Sequence, residues 1–288
     1  MKKIFAILVG VALTAMCQLS YAAAVVSGLT GTAQAIPIAG SPRNLGNGAV
    51  VNAGDTVATG ENSSLVLRFE DGQIVAVGAR TRMAVSAYTY DVKEPAKSNV
   101  LLSLVTGSMR AITGIIGKVA PEKVAYRAGN ATMGIRGTDV SFATAGGDVV
   151  VTVKDGAIAF TFNGKTIAIP AGQAALTKGG QVTSGTIAAI NAAVAANPAL
   201  AAALKSVASD ALTKAVAEAA VKAAADAKAA ADAKAAADAK AASDAKSAAD
   251  AKSAADAKGT AGSGPAAGSG STGAGGTGSG GGGKASGS

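Results

Sequence analysis

Val221 is the last large apolar residue in the chain, so no bulky core side chain comes after it. From Lys222 the chain becomes a repeat. Lysines recur every six residues up to Lys258, and each but the last is followed four residues on by an aspartate, Asp226 through Asp256. Alanine fills nearly all remaining positions, and its helix propensity predicts a helix over 222–258 without support from a core. Each Lys-to-Asp pair adds at most about 0.2–0.5 kcal/mol, the lysine-first order being the weaker one. Successive repeats turn about 240° around a helix, so the charges spiral over every face and leave no apolar seam for a coiled coil. The expectation is a solvated, semi-rigid spacer, with an alanine-packed assembly as the alternative. A helix running unbroken from Pro198 to Lys258 would reach about 90 Å. Residues 259–288 are almost all Gly, Ser, Ala and Thr and are expected to be a disordered tail.

The core must therefore be built earlier, and the earlier sequence has the grammar of strands. Residues 25–180 are rich in Val, Ile, Thr and Gly, with turn pairs at Asn47-Gly48, Asp71-Gly72, Gly146-Gly147, Asp155-Gly156 and Asn163-Gly164. In Ser63–Val77, Leu65, Leu67 and Phe69 precede Asp71-Gly72, and Val75 and Val77 follow it. Val149, Val151 and Val153 precede Asp155-Gly156 in the same way, with Ile158, Phe160 and Phe162 beyond. Both read as hairpins. The fold class expected is an all-β domain, a hairpin-rich sandwich or a solenoid-like stack, followed by the Ala-rich helix and the tail. Aromatic residues make up only 3% of the chain, so the core must be largely aliphatic. Leu65, Leu67, Phe69, Val75, Val77, Leu102, Leu104, Val149, Val151, Val153, Ile158 and Phe160 are its expected members.

Between domain and repeat the hydrophobic period changes. Ile187, Ile190 and Val194 fall at helical spacing, Asn197-Pro198 stops that helix and starts another, and Leu200, Leu204, Val207, Ala211 and Leu212 carry an apolar stripe to Val216. Residues 184–221 are thus expected to be an amphipathic helical segment whose stripe lies on the β-domain or on a partner.

The first 24 residues have the form of a secretion signal: Lys2 and Lys3, an apolar run from Ile4 to Met16, then the small residues Ser20, Ala22, Ala23 and Ala24. The run is shorter than the roughly 20 residues a spanning helix needs. Met16 before Cys17 argues against a lipid anchor, and cleavage after Ala22 or Ala24 would remove the only cysteine. The expected location is the periplasm or the extracellular space, with no integral span after cleavage.

Several motifs in fixed order resemble the FecR domain, a secreted or periplasmic β-domain family. They are Gly54-Asp55-Thr56-Val57-Ala58-Thr59-Gly60, Phe69-Glu70-Asp71-Gly72, Leu104 through Gly107 to Arg110, Gly134-Ile135-Arg136-Gly137-Thr138, and Val153-Lys154-Asp155-Gly156, with Ala171-Gly172-Gln173 after them. The resemblance covers roughly residues 30–178. It implies a β-domain that, in its best-known form, is the periplasmic part of a transducer coupling an outer-membrane transporter to an extracytoplasmic sigma factor. That form has a cytoplasmic region and a spanning helix ahead of the domain. This chain has a signal-like segment there instead. The Lys/Asp/Ala segment is also similar in composition to the helical spacer of the TolA envelope protein.

Composition removes most catalytic chemistry. The chain has no histidine, hence no Ser-His-Asp triad and no histidine-based zinc site. Nearly all the acids of the β-domain stand beside or near Gly, Asn or Pro, where they are expected to form turns or to be solvated. Gly114-Ile115-Ile116-Gly117-Lys118 is too short for a P-loop. Residues 23–198 hold 14 Lys and Arg against 10 Asp and Glu, dispersed and without interleaved aromatics, which argues against nucleic-acid binding. No enzyme activity and no cofactor are expected. The residues singled out are Arg110, Arg127, Arg136, Thr138 and Asp139, either a polar patch that docks a partner or internal cement, with Gly72, Gly134, Gly137 and Gly156 as turn glycines. The leading expectation is a non-catalytic envelope module that binds a protein or a cell-wall polymer, self-association included. The alternative is a periplasmic signalling component acting through a membrane partner.

Overall fold

The computed structural model describes residues 22–259. The expected signal sequence before Ala22, with Cys17, and the tail beyond Gly259 lie outside the described residues. The strands are β1 (Ala22–Thr30), β2 (Ala33–Ile36), β3 (Arg43–Asn44), β4 (Val50–Asn52), β5 (Thr56–Thr59), β6 (Ser64–Phe69), β7 (Ile74–Val77) and β8 (Arg82–Thr89). After them come β9 (Asn99–Ile112), β10 (Val124–Ala128), β11 (Ala131–Ala145), β12 (Asp148–Phe162), β13 (Lys165–Pro170), β14 (Gln173–Lys178) and β15 (Gln181–Thr186). A short helix α1 (Ile115–Val119) follows β9, and α2 (Ile187–Val194), α3 (Pro198–Val207) and α4 (Asp210–Gly259) follow β15.

All the strands belong to one continuous sheet. It doubles into two layers because three long strands serve both. The first half of β9 pairs with β8 and, in parallel, with β10, while its second half pairs with β7 and β11. The first half of β11 lies on β10 and its second half on β9. β12 mirrors this, holding β14 along its first half and β13 along its second. One layer thus runs β15-β14-β12-β11-β9-β7-β6-β1-β4, and the other runs through β13, β12, β11, β10, β9, β8, β5, β2 and β3. Their facing surfaces merge in one core that contains every expected core residue, with Tyr126, Phe142, Met83, Met109 and Met133 besides.

The Asp71-Gly72 hairpin is present as expected, with Leu65 opposite Val77 and Leu67 opposite Val75. The Asp155-Gly156 hairpin is not. β12 runs straight through those residues, and the chain reverses instead at Gly146-Gly147 and Asn163-Gly164. At Asp155 and Gly156 the strand has an irregularity in register opposite the one at Arg136–Asp139 of β11, so both strands bend together. The GIRGTD segment is likewise strand rather than loop. Gly137 and Gly156 have positive φ at the bend, 58° and 78°. Gly134 does not turn at all, since it sits mid-strand between Ala125 and Ala159. A tight turn and a bulge both call for Asp-Gly, and the 15-residue ladder decides for the bulge.

Helices cover the outer face of the first layer. Thr186 caps α2 by accepting a hydrogen bond from Ala189 N, and Asn197 caps α3 by accepting one from Leu200 N, with Pro198 in its first turn. Ile190, Val194 and Leu200 pack on Ala143, Val150, Ala174 and Leu176. Val207, Leu212, Val216 and Ala219 pack on Val66, Ile74 and Ala76. Each large side chain buried there contributes about 2 kcal/mol. The expected apolar stripe therefore lies on the β-domain, except that Ala211 is exposed. Two boundaries differ from the sequence reading: residues 184–186 complete β15, and β1 takes in Ala22–Ala24. The helix expected from Pro198 to Lys258 is interrupted at Ala208-Ser209, and the repeat belongs to α4, which starts at Asp210. Residues 231–259 form a separate unit, a regular helix of the Lys/Asp/Ala repeat.

The bend yields a stability contrast. A Cβ at residue 156 would collide with the Gly137 carbonyl, whereas one at Gly146, also at positive φ, would meet nothing. Gly146→Ala should cost about 1–2 kcal/mol for its left-handed backbone alone, and Gly156→Ala clearly more. Urea midpoints of the two variants check this; equal losses would remove the bend from its central place.

Candidate functional site

The bend in β11 splits the five singled-out residues between two surfaces. Before it, Met133 and Ile135 face the core and Thr132, Gly134 and Arg136 face outward from the second layer. After it, Val140 and Phe142 face the core, and Asp139 joins the outer side of the first layer. Asp139 there accepts two hydrogen bonds from Arg110 of β9, from Nε at 2.8 Å and Nη2 at 2.6 Å. The pair is mostly sequestered, with side chains 11% and 16% exposed. The hydrogen bond to Asp139 raises the Arg110 pKa against the opposing effect of burial. Thr138 is buried beside it: its N–H donates to Thr113 Oγ1 (2.8 Å), while Thr113 N and Oγ1 donate to its carbonyl (3.0 and 2.9 Å). Arg110, Thr138 and Asp139 are internal cement, tying the end of β9 to the bend.

Arg127 and Arg136 remain at the surface, exposed on the outer face of the second layer. Arg127 stands opposite Thr132, and Arg136 lies about 13 Å further along β11. Between them a cross-strand row runs Leu101, Ala125, Gly134, Ala159, Ala168. The neighbouring row is Ser103, Arg127, Thr132, Thr161, Thr166. The buried residues of α2, α3 and α4 cluster with the first layer only, so among the described residues no helix covers this face. It also holds Arg82 on β8, and β8, β10, β13 and residues 131–136 contain no acid. The result is a low, wide, positively charged surface.

A third cluster was hidden from sequence reasoning. Asp71, expected to form a turn or to be solvated, does form the β6–β7 turn but is 1% exposed. Its carboxylate accepts from the Gln73 N–H (3.2 Å), the Tyr88 hydroxyl (3.4 Å) and the Ile116 N–H (3.4 Å), and its carbonyl accepts from Ile115 N. Tyr126 donates to Gln73 Oε1 at 2.8 Å. The cluster pins the β6–β7 turn onto α1. Burial pushes the Asp71 pKa up from its ordinary 3.8 despite these hydrogen bonds. Burial first, and the Asp71 charge second, push Tyr88 and Tyr126 up as well. Asp-Gly in sequence signals a turn, and no local feature signals that Tyr88 and Ile116 will close over it. Among the described residues, no group of three or more His, Cys, Asp or Glu is placed to hold a metal ion.

Both buried groups have measurable effects on stability. Arg110→Ala leaves the partly buried Asp139 unpaired and should cost about 2 kcal/mol, whereas Arg127→Ser and Arg136→Ser should each stay within about 0.5 kcal/mol of the parent. Chemical denaturation of the three variants distinguishes the two surfaces. For Asp71, between its ordinary pKa and the raised folded value the unfolded chain has lost a proton that the folded chain keeps. Stability therefore falls as pH rises through that window and stays lowered above it. Asp71→Asn should flatten this decline, read as urea midpoints from about pH 4 to 7; an unchanged slope would acquit Asp71.

Residues 55–159 match the family described as FecR protein. No curated protein matches the chain. Two crystal structures of a candidate anti-sigma factor from Parabacteroides distasonis are similar. One has 13% identity and a TM-score of 0.38, the other 12% and 0.37. Each match covers 46% of this chain and 59% of that one, so it spans little more than half of those proteins. The chain contains a FecR domain over residues 55–159, and that segment holds the Asp71 cluster, the Arg110–Asp139 pair and both exposed arginines.

Proposed function

We propose that this chain is a non-catalytic regulatory module of the FecR type, which docks a protein partner on the open outer face of its second layer. One observation carries the reading: the chain's own helices seal one outer face of the sandwich and leave the opposite one uncovered. That uncovered face has small side chains that admit close approach, flanked by Arg127 and Arg136. Guanidinium groups pair with carboxylates in a fixed bidentate geometry, so the complementary surface is acidic. The FecR match supports a regulatory partner rather than a cell-wall polymer.

The leader-like segment before Ala22 supports a location outside the cytoplasm, where the module acts through a membrane protein and not directly on a sigma factor. The Lys/Asp/Ala helix favours a second reading, an envelope scaffold in which α4 sets the reach. The readings differ in what deletion does. In the regulatory reading, removing the gene changes transcripts controlled by an extracytoplasmic sigma factor. An unchanged transcript profile, with envelope components still captured, transfers the case to the scaffold.

The docking face has its own test. A photo-crosslinker placed at Ala168 should capture a single envelope partner, and one placed on the helix-covered side should not. Adding Arg127→Ser with Arg136→Ser should cut that capture about tenfold or more, for a loss of roughly 1.4 kcal/mol or above. Undiminished capture by the double variant would remove the arginines from the interface.

A further inference from the structure

The sequence before the β-domain offers two peptide bonds with small residues at the first and third preceding positions. They are the bond after Ala22, preceded by Ser20 and Ala22, and the bond after Ala24, preceded by Ala22 and Ala24. Residue chemistry does not separate them. The fold does. From the placement of β1 we infer that the leader is removed between Ala22 and Ala23, so that the mature domain begins on its first core residue. This rests on the export reading above.

β1 is an interior strand, with β4 on one side and β6 on the other. Ala23 and Ala24 are 0% and 1% exposed, and both belong to the main core. Ala24 pairs with Val51 of β4 and with Phe69 of β6, and Val25 with Val50 and Arg68. Cleavage after Ala24 would delete two buried side chains and the rung opposite Phe69, at the end of the hairpin that carries Asp71. The Ala24–Val25 bond also lies between paired residues on both sides, closed to a peptidase once the sheet has formed. The Ala22–Ala23 bond precedes every β6 rung, and its only ladder partner is Asn52, opposite Ala22. Cleavage there removes Cys17 and gives up only the Ala22 rung opposite Asn52, keeping both buried alanines.

The experiment takes the full chain, expressed with its own leader, and reads the periplasmic product by intact mass and amino-terminal sequencing. A first residue of Ala23 supports the inference. Val25, or any other first residue, overturns it while leaving export standing, and a full-length chain overturns both. Ser20→Arg alters the third position of the Ala22 site only. It should abolish the product that starts at Ala23 and accumulate precursor, whereas a stable product starting at Val25 would count against the assignment. As a fold-level control, mature chains starting at Ala23 and at Val25 are made behind an unrelated leader. The Val25 form should melt roughly 5 °C lower; equal melting temperatures would remove the structural basis of the assignment.

Discussion

The architecture turns on the place where β11 and β12 bend together. Two antiparallel strands of 15 residues each can serve two layers only if they change direction at the same rung. Here the Gly137 carbonyl occupies the space that a Cβ of residue 156 would need. One extra residue on β11 also resets the side-chain alternation. Ile135 and Val140 both face the core although five positions separate them, where strict alternation would send one outward. The same reset carries Asp139 to the first layer, within reach of Arg110, and leaves Arg136 on the second. A change of glycine at the bend therefore acts on packing, on the ion pair and on the outer face that carries Arg136 at once.

The two outer faces differ because of the helices that come after β15. The last residue of that strand, Thr186, is also the cap of α2, so the chain leaves the sheet directly into a helix and returns across the first layer. This coverage makes β7 buried at all four positions and explains why Ile74-Val75-Ala76-Val77 lacks the alternation of a half-exposed strand. The second layer keeps alternation to the end of β13, as a solvated face requires. A bare sheet face in a domain that covers its other side with its own helices is asymmetric, and the asymmetry gives the proposed docking its direction.

The apolar pattern made much of this legible beforehand. Alternating Leu65, Leu67 and Phe69 could only be a strand, and Asn197-Pro198 could only divide two helices, whereas packing runs slightly beyond Val221, to Ala223 on the sheet and to Asp226 paired with Arg68. What stayed hidden depended on contacts distant in sequence. Asp155-Gly156 has the local chemistry of a hairpin, and only the uninterrupted ladder from Asp148 to Phe162 reveals a bulge. Asp71 looks solvated until Tyr88 and Ile116 close over it. Among the candidates, Arg110 and Asp139 lie 29 residues apart, and nothing near either announces the other.

A domain with few aromatic rings must lock its elements with polar contacts, and that bears on what chemistry is left for a partner. Asp71, Asp139, Thr113 and Thr138 are engaged in the fold's own hydrogen bonds, and Asp55 is held by Arg43 and the Asn52 N–H. The side chains presented on the open face include arginines, threonines, alanines, Leu101 and Ser103. A guanidinium carries hydrogen-bond donors and no acceptor. It can still neutralise and orient a carboxylate, and threonine can add a hydrogen bond beside it. A surface of this kind suits the proposed docking, which would rest on charge and close fit and should weaken as salt screens the guanidinium groups.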